Sequence, residues 1–211
     1  MKYFIGCLFI AVALSCPAQA QSPKNGWISL FDGTSLNGWK VGDNAETFSV
    51  KDSMIVVHGN TAHLFYDGPV QDHNFKNFEF KADVMTHPGA NSGIYIHTGY
   101  QQGGWPEKGY EIQVNNSHTD WRRTGSVYGI QDIQEVYVKD GEWYTMDITV
   151  QGKRIMVKIN GKVVNDYTEP ADLHRTGGDA QRMLSSGTFA LQGHDPNSLV
   201  YFKNIMVKPL P

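Results

Sequence analysis

Phe78-Glu79-Phe80-Lys81-Ala82-Asp83-Val84 is the stretch on which the fold turns. Its apolar members fall on every second residue, and charged side chains fill the gaps. A strand sends successive side chains to opposite faces, so this pattern predicts a strand with one buried face and one wet face. The same period returns in Met146, Ile148 and Val150, broken by Asp147 and Thr149. It resumes after Gln151-Gly152 in Ile155-Met156-Val157-Lys158-Ile159, which predicts a hairpin. Asn160-Gly161 predicts a second hairpin into Lys162-Val163-Val164, because an Asn-Gly pair readily supplies the positive φ angles of a type I′ turn. A third joins Phe48-Ser49-Val50 to Met54-Ile55-Val56-Val57 through Lys51-Asp52-Ser53.

Further strands are predicted over Gly93–Thr98, Tyr110–Val114, Ser126–Ile130, Thr188–Gln192 and Leu199–Val207. No long stretch repeats its apolar residues at helical spacing, and a short turn around Pro170–Leu173 is the most that is expected. Many short strands, 22 glycines and no regular repeat point to an all-β fold. The expected architecture is a two-sheet antiparallel jelly-roll sandwich rather than a propeller or solenoid. The connections from Gln101 to Lys108 and from Asp166 to Ser186 are irregular, and loops of that kind more often border a binding site than build a core.

The chain has 211 residues, 40% of them apolar, 18% charged and 12% aromatic, which suits one globular domain. Its beginning reads differently. Met1 and Lys2 precede an almost unbroken apolar run from Tyr3 to Leu14, and Ala18-Gln19-Ala20 is a small-x-small cleavage pattern. Residues 1–20 are therefore expected to be an export signal, too short for a membrane span, with a single domain over residues 21–211 and a destination outside the cytoplasm, periplasmic or secreted. Both cysteines, Cys7 and Cys16, would leave with the signal, so no disulfide is expected. The alternative processing makes Cys16 a lipidated N-terminus. Removing Lys2 from the 18 basic residues leaves a formal net charge of −4 against 21 acidic ones. With no basic run or arginine stripe, nucleic acid is not an expected partner, and a neutral or cationic substrate is.

Gly109-Tyr110-Glu111-Ile112-Gln113-Val114-Asn115 places Glu111, Gln113 and Asn115 on one strand face. Carboxylate and amide groups match the donors and acceptors of sugar hydroxyls, so this face suits a carbohydrate groove; a solvated outer face is the plainer alternative. Asn91-Ser92-Gly93-Ile94-Tyr95-Ile96-His97 alternates likewise, with Gly93, Tyr95 and His97 sharing a face. Trp105 and Tyr128 offer aromatic faces for pyranose C–H surfaces. The eight histidines form no short ligand motif such as H-E-x-x-H, which leaves a divalent cation open without arguing for one. No nucleophile elbow, P-loop or Rossmann glycine pattern is present, and no nucleotide cofactor is expected.

Taken together, several blocks resemble the 3-keto-disaccharide hydrolase domain family. The opening Gly26-Trp27-Ile28-Ser29-Leu30-Phe31-Asp32-Gly33-Thr34-Ser35-Leu36-Asn37-Gly38-Trp39 is similar to that family's first signature. Asn91-Ser92-Gly93-Ile94-Tyr95, Gly109-Tyr110-Glu111-Ile112-Gln113, Thr124-Gly125-Ser126-Val127-Tyr128-Gly129, Glu142-Trp143, Asn160-Gly161, Leu191-Gln192-Gly193-His194 and Phe202-Lys203-Asn204-Ile205 follow in family order. The resemblance implies a concanavalin A-like jelly roll, exported from glycan-degrading bacteria and acting on glycosides oxidised at C3. At His97 the chain departs from the pattern, since relatives often carry Arg there.

A ketone at C3 acidifies the C2 hydrogen and permits elimination of the C1 substituent, with hydration completing a hydrolysis. Such a site needs a base, an acid for the leaving oxygen, and donors or a cation for the enolate. An ordinary glycosidase instead needs two carboxylates at a set separation. Glu111 is the well-placed carboxylate, while the direction of Asp132 is open. The expected assignment is Glu111 as base or metal ligand and His194 as acid-base partner, with Gln113, Gln192, Tyr128, His97, Tyr95 and Trp105 binding the sugar. A non-catalytic carbohydrate-binding module is the competing class, because it shares the same architecture.

Overall fold

The computed structural model describes residues 25–211; the expected export signal, Cys7 and Cys16 lie outside them. Thirteen strands follow one another: β1 Ile28–Ser29, β2 Trp39–Val41, β3 Phe48–Lys51, β4 Met54–His58, β5 Ala62–Tyr66, β6 Phe78–Thr86, β7 Ser92–Thr98, β8 Tyr110–Val114, β9 Tyr144–Gln151, β10 Arg154–Ile159, β11 Lys162–Thr168, β12 Thr188–Gly193 and β13 Leu199–Pro209. They form two antiparallel sheets. The larger runs β11-β10-β9-β6-β13-β4-β3, with β1 added on β13, and the smaller runs β2-β5-β12-β7-β8. Among the described residues no helix is long and apolar enough to cross a membrane.

The three predicted hairpins are present, with Phe78 on β6 facing Val150 on β9, and Phe80 facing Ile148. Phe78, Phe80, Ala82, Val84, Ile148 and Val150 are completely buried, whereas Glu79, Lys81 and Asp83 are only half-buried. Period-two alternation thus reports a sheet with one face on the core. Phe189 of β12 brings the two sheets together, with its ring centroid 4.7 Å from Phe75, 4.9 Å from Phe78 and 4.7 Å from Phe80. Such a cluster supplies much of the apolar area that drives folding.

The smaller sheet behaves differently. Every residue of β5, β7, β8 and β12 is buried. One face, carrying Leu64, Ile94, Ile112 and Leu191, belongs to the core. The other carries His63, Phe65, Tyr95, Glu111, Gln113, Ala190 and Gln192, which the irregular connections cover instead of solvent. Two expectations are corrected here. Ser126–Ile130 is not a strand: only Val127 makes bridges, to Ile112 and Gln131, and the chain turns at once through Gly129 at φ +65°. Asn115 leaves the sheet face, spending its side chain on Asp120 O and Arg122 O, each at 2.8 Å, to fold the next loop.

Candidate active site

Two rows of side chains cross the loop-covered face. Strand pairing sets Phe65, Ala190, Tyr95 and Glu111 side by side. In the neighbouring row His63 stands beside Gln192, and Gly93 beside Gln113. Gly93 leaves a gap over which Glu111 and Gln192 meet. Gln192 Nε2 donates to Glu111 Oε1 at 2.9 Å, and Tyr95 Oη donates to Glu111 Oε2 at 3.0 Å. A methyl group on Gly93 would come within 2.8 Å of Glu111 Cγ and 2.9 Å of Cδ, with Oε1 closer still. Gly93→Ala is therefore expected to push the carboxylate aside and lower turnover by about tenfold without unfolding the chain. Kinetics together with circular dichroism check this; wild-type turnover in a folded Gly93→Ala protein would show that the carboxylate's placement does not matter.

Glu111 forms the floor of a cavity of about 340 Å³. Burial pushes its carboxyl up to about 7, against the opposing pull of the Tyr95 and Gln192 hydrogen bonds and the Arg182 charge. Arg182 comes from the long connection before β12, where it donates to Tyr128 O and lies 3.6 Å from Asp179. Tyr128 forms part of the wall. Its hydroxyl donates to Asp120 at 3.2 Å, and the Arg122 guanidinium sits 4.6 Å over its ring, braced by Asp120 and Asp132.

Trp105, half exposed, also lines the cavity and packs its ring 5.4 Å from His194 and 5.6 Å from His63. His194 Nδ1 lies 2.8 Å from Asp195 Oδ2, which also accepts from Ser198 Oγ at 2.8 Å. Its partners hold the Asp195 carboxyl below its ordinary range although burial opposes them. An ionised Asp195 keeps the His194 proton on Nδ1 and leaves Nε2 to take or give a proton. His63, under Trp105, is neutral: burial and then the His194 charge lower it to about 4.

The structure thus brings Glu111, His194, Tyr95, Gln113, Tyr128, Gln192 and Trp105 to one cavity. It does not bring His97 there. The register between β7 and β12 passes from Thr188↔Thr98 to Ala190↔Tyr95, an extra residue on β7, and His97 takes φ +54°. That bulge reverses strand parity and turns the ring against Phe78, with centroids 5.6 Å apart. Nε2 of His97 donates to Lys76 O at 2.9 Å and Nδ1 accepts from the Ser185 N–H at 3.1 Å, so the imidazole ties loops together instead of meeting a sugar. Arg182, His118 and Asp195 escaped sequence reading, and Asn91 stood in the family-like block Asn91-Ser92-Gly93-Ile94-Tyr95 without a role of its own. For Asp195 the signal was its adjacency to His194.

His118, His194 and Asp195 bring three ligand-type atoms within 4.8 Å of one another, a grouping compatible with a divalent cation. His118 could join such a set through Nε2 only by moving its proton to Nδ1, at the expense of the bond that Nδ1 accepts from the Asp120 N–H at 3.0 Å.

Residues 26–208 match the family model of the 3-keto-alpha-glucoside-1,2-lyase-like domain. A 3-keto-disaccharide hydrolase of Bacteroides thetaiotaomicron is 33% identical over 233 residues, covering 88% of this chain and 79% of the relative. The crystal structure of a candidate glycosyl hydrolase from Parabacteroides distasonis superposes with a TM-score of 0.72 at 24% identity, over 89% of this chain and 95% of the other. The carbohydrate-binding module CBM66 of Bacillus subtilis gives 0.58 at 13% identity, over 81% and 95%. These two superpositions speak for a shared sandwich fold.

Proposed function

The chain belongs to the 3-keto-alpha-glucoside-1,2-lyase-like domain family, and on that premise we propose that it cleaves 3-keto-glycosides by C2 proton abstraction and loss of the C1 substituent, followed by hydration. The observation that carries this reading is a single buried carboxylate, Glu111, raised to about 7 on the floor of a sugar-sized cavity and facing an arginine. The other carboxylates of the lining, Glu107 and Asp179, are exposed at the rim, so the floor lacks the carboxylate pair of an ordinary glycosidase. A non-catalytic module would gain nothing from a buried, near-neutral carboxylate, which costs stability.

In the proposed reaction Glu111 takes the C2 proton, and the electron pair moves toward the C3 oxygen, where Arg182 offers a positive charge and N–H donors. The C1–O bond then breaks, and His194 protonates the departing oxygen. Water adds to the resulting double bond to give the free 3-keto sugar. Incubating the pure protein with a 3-keto-disaccharide and with its unoxidised parent tests this directly. Release of the aglycone from the oxidised sugar alone is expected; cleavage of the unoxidised sugar at a matching rate would replace the reading with ordinary glycoside hydrolysis.

Because Glu111 accepts a proton only when ionised, kcat/KM should fall about tenfold per pH unit below about 7. Tyr95→Phe removes a bond that favours the ionised form and should move that limb to higher pH. A flat kcat/KM between about pH 5 and pH 8 would exclude Glu111 as the base. The same proposal places the enzyme outside the cytoplasm, on the strength of the apolar leader and the Ala18-Gln19-Ala20 site. Intact-mass measurement of exported protein should find a chain beginning at Gln21, and retention of Met1 would end that part.

A further inference from the structure

Three hydrogen bonds run from the loop after β8 to the cavity floor, and each sets the polarity of the next. The backbone N–H of Asp120 can only donate, and it donates to His118 Nδ1 at 3.0 Å. The ring therefore carries its proton on Nε2. Asn91 meets the same Nδ1 through its side-chain nitrogen at 3.3 Å, so its NH2 group points there and Oδ1 points away. Gln113 Nε2 then donates to Asn91 Oδ1 at 2.9 Å. The amide of Gln113 ends with Oε1 buried and without a partner. A second anchor acts on Gln192. In its basic form the Glu111 carboxylate only accepts, so Gln192 turns its NH2 group to it, and Gln192 Oε1 is likewise buried and without a partner.

We propose that Gln113 Oε1 and Gln192 Oε1 read two free hydroxyls of the sugar, and that Asn91 and His118 are the positioning residues that hold Gln113 in its reading orientation. The proposal rests on the carbohydrate reading above and adds what the cavity selects. Both oxygens lack a donor, and a hydroxyl is a donor while a fluorine, an ether or a ketone is not. The amide oxygens and Arg182 therefore sort the substrate's oxygens. The C3 ketone, an acceptor alone, is unwelcome at the amide oxygens and matched by the donors of Arg182, so one orientation of the ring is favoured.

A glucoside and its 2-, 4- and 6-deoxyfluoro analogues test this. Each is used in two forms: the 3-keto form for kcat/KM, and the unoxidised form for Kd by calorimetry, which does not depend on chemistry. In the wild-type protein, fluorine at two of the three positions should weaken the interaction on the order of a hundredfold. In Gln113→Met the penalty at one of those positions should shrink to within about threefold, while the other persists. Asn91→Leu frees the Gln113 amide to turn its NH2 group inward, so the penalty at that same position should drop by about tenfold or more. A merely structural role of Asn91 would weaken parent and analogue alike and leave their ratio unchanged. The proposal is overturned if every analogue stays within about threefold of the parent, if no glucoside binds, or if the ratios are untouched in Gln113→Met. Absent turnover with the binding pattern intact would instead defeat the reaction proposed above and uphold the reading of hydroxyls.

Discussion

Glu111→Gln is expected to lower kcat on a 3-keto-glycoside by roughly a hundredfold to ten-thousandfold, the usual contribution of a general base. The substitution is close to isosteric, and the surroundings can absorb it. The new amide oxygen can still accept from Gln192 Nε2, which leaves Gln192 Oε1 as it was. The Tyr95 hydroxyl, which accepts as well as donates, can take the new NH2 group. Sugar binding should therefore change by no more than about threefold, so the loss appears in kcat and not in KM. A Glu111→Gln protein that turns the substrate over at the wild-type rate would place the base elsewhere. A large rise in KM with kcat intact would make Glu111 a binding group instead.

What the sequence made legible follows from which faces of each strand are wet. Phe78–Val84 and Met146–Val150 alternate because their sheet turns one face outward, so period two survives in the residue types. Ala62-His63-Leu64-Phe65-Tyr66 escaped, because β5 lies inside the smaller sheet with both faces covered. Nothing in it alternates between apolar and charged. Ser126–Ile130 misled in the opposite direction: Ser126 and Tyr128 flank Val127 as a strand would, but Ser126 Oγ donates to Arg123 O at 2.8 Å and closes a turn.

The site divided along the same line. Glu111 and Gln113 share a face by strand parity, which is local and readable, and so do Gly93 and Tyr95. His97 shares that parity in sequence, but the bulge before it depends on how β7 pairs with β12, a contact about ninety residues away. Arg182 sits in a connection with no period to read, and what places it in the cavity is a hydrogen bond to Tyr128 O. A lone arginine in a loop carries no local mark of that role. The amide orientations of Asn91 and Gln113 are further removed, because a backbone N–H at Asp120 sets them through an imidazole.

The largest stability effect expected at the site comes from the same carboxylate. Glu111 titrates at an ordinary 4.5 in the unfolded chain and at about 7 when folded, because burial disfavours its charge. Below 4.5 both states hold the proton, and Glu111 adds nothing to the pH dependence. Between 4.5 and about 7 the folded protein keeps a proton that the unfolded chain has released, so stability falls as the pH rises through this window. Above it the whole cost is present, about 3 kcal/mol for a rise of this size. Gln carries no charge at any pH. Urea unfolding should therefore find Glu111→Gln and wild type similar near about pH 4.5, and the variant more stable by about 3 kcal/mol near about pH 8. Curves that stay parallel across that range would mean that Glu111 is ionised at little cost, and its reactivity as a base would then need another source. A stabilised, inactive Glu111→Gln would instead mean that the energy spent on holding a charged carboxylate out of water is what makes it basic enough to take a carbon-bound proton.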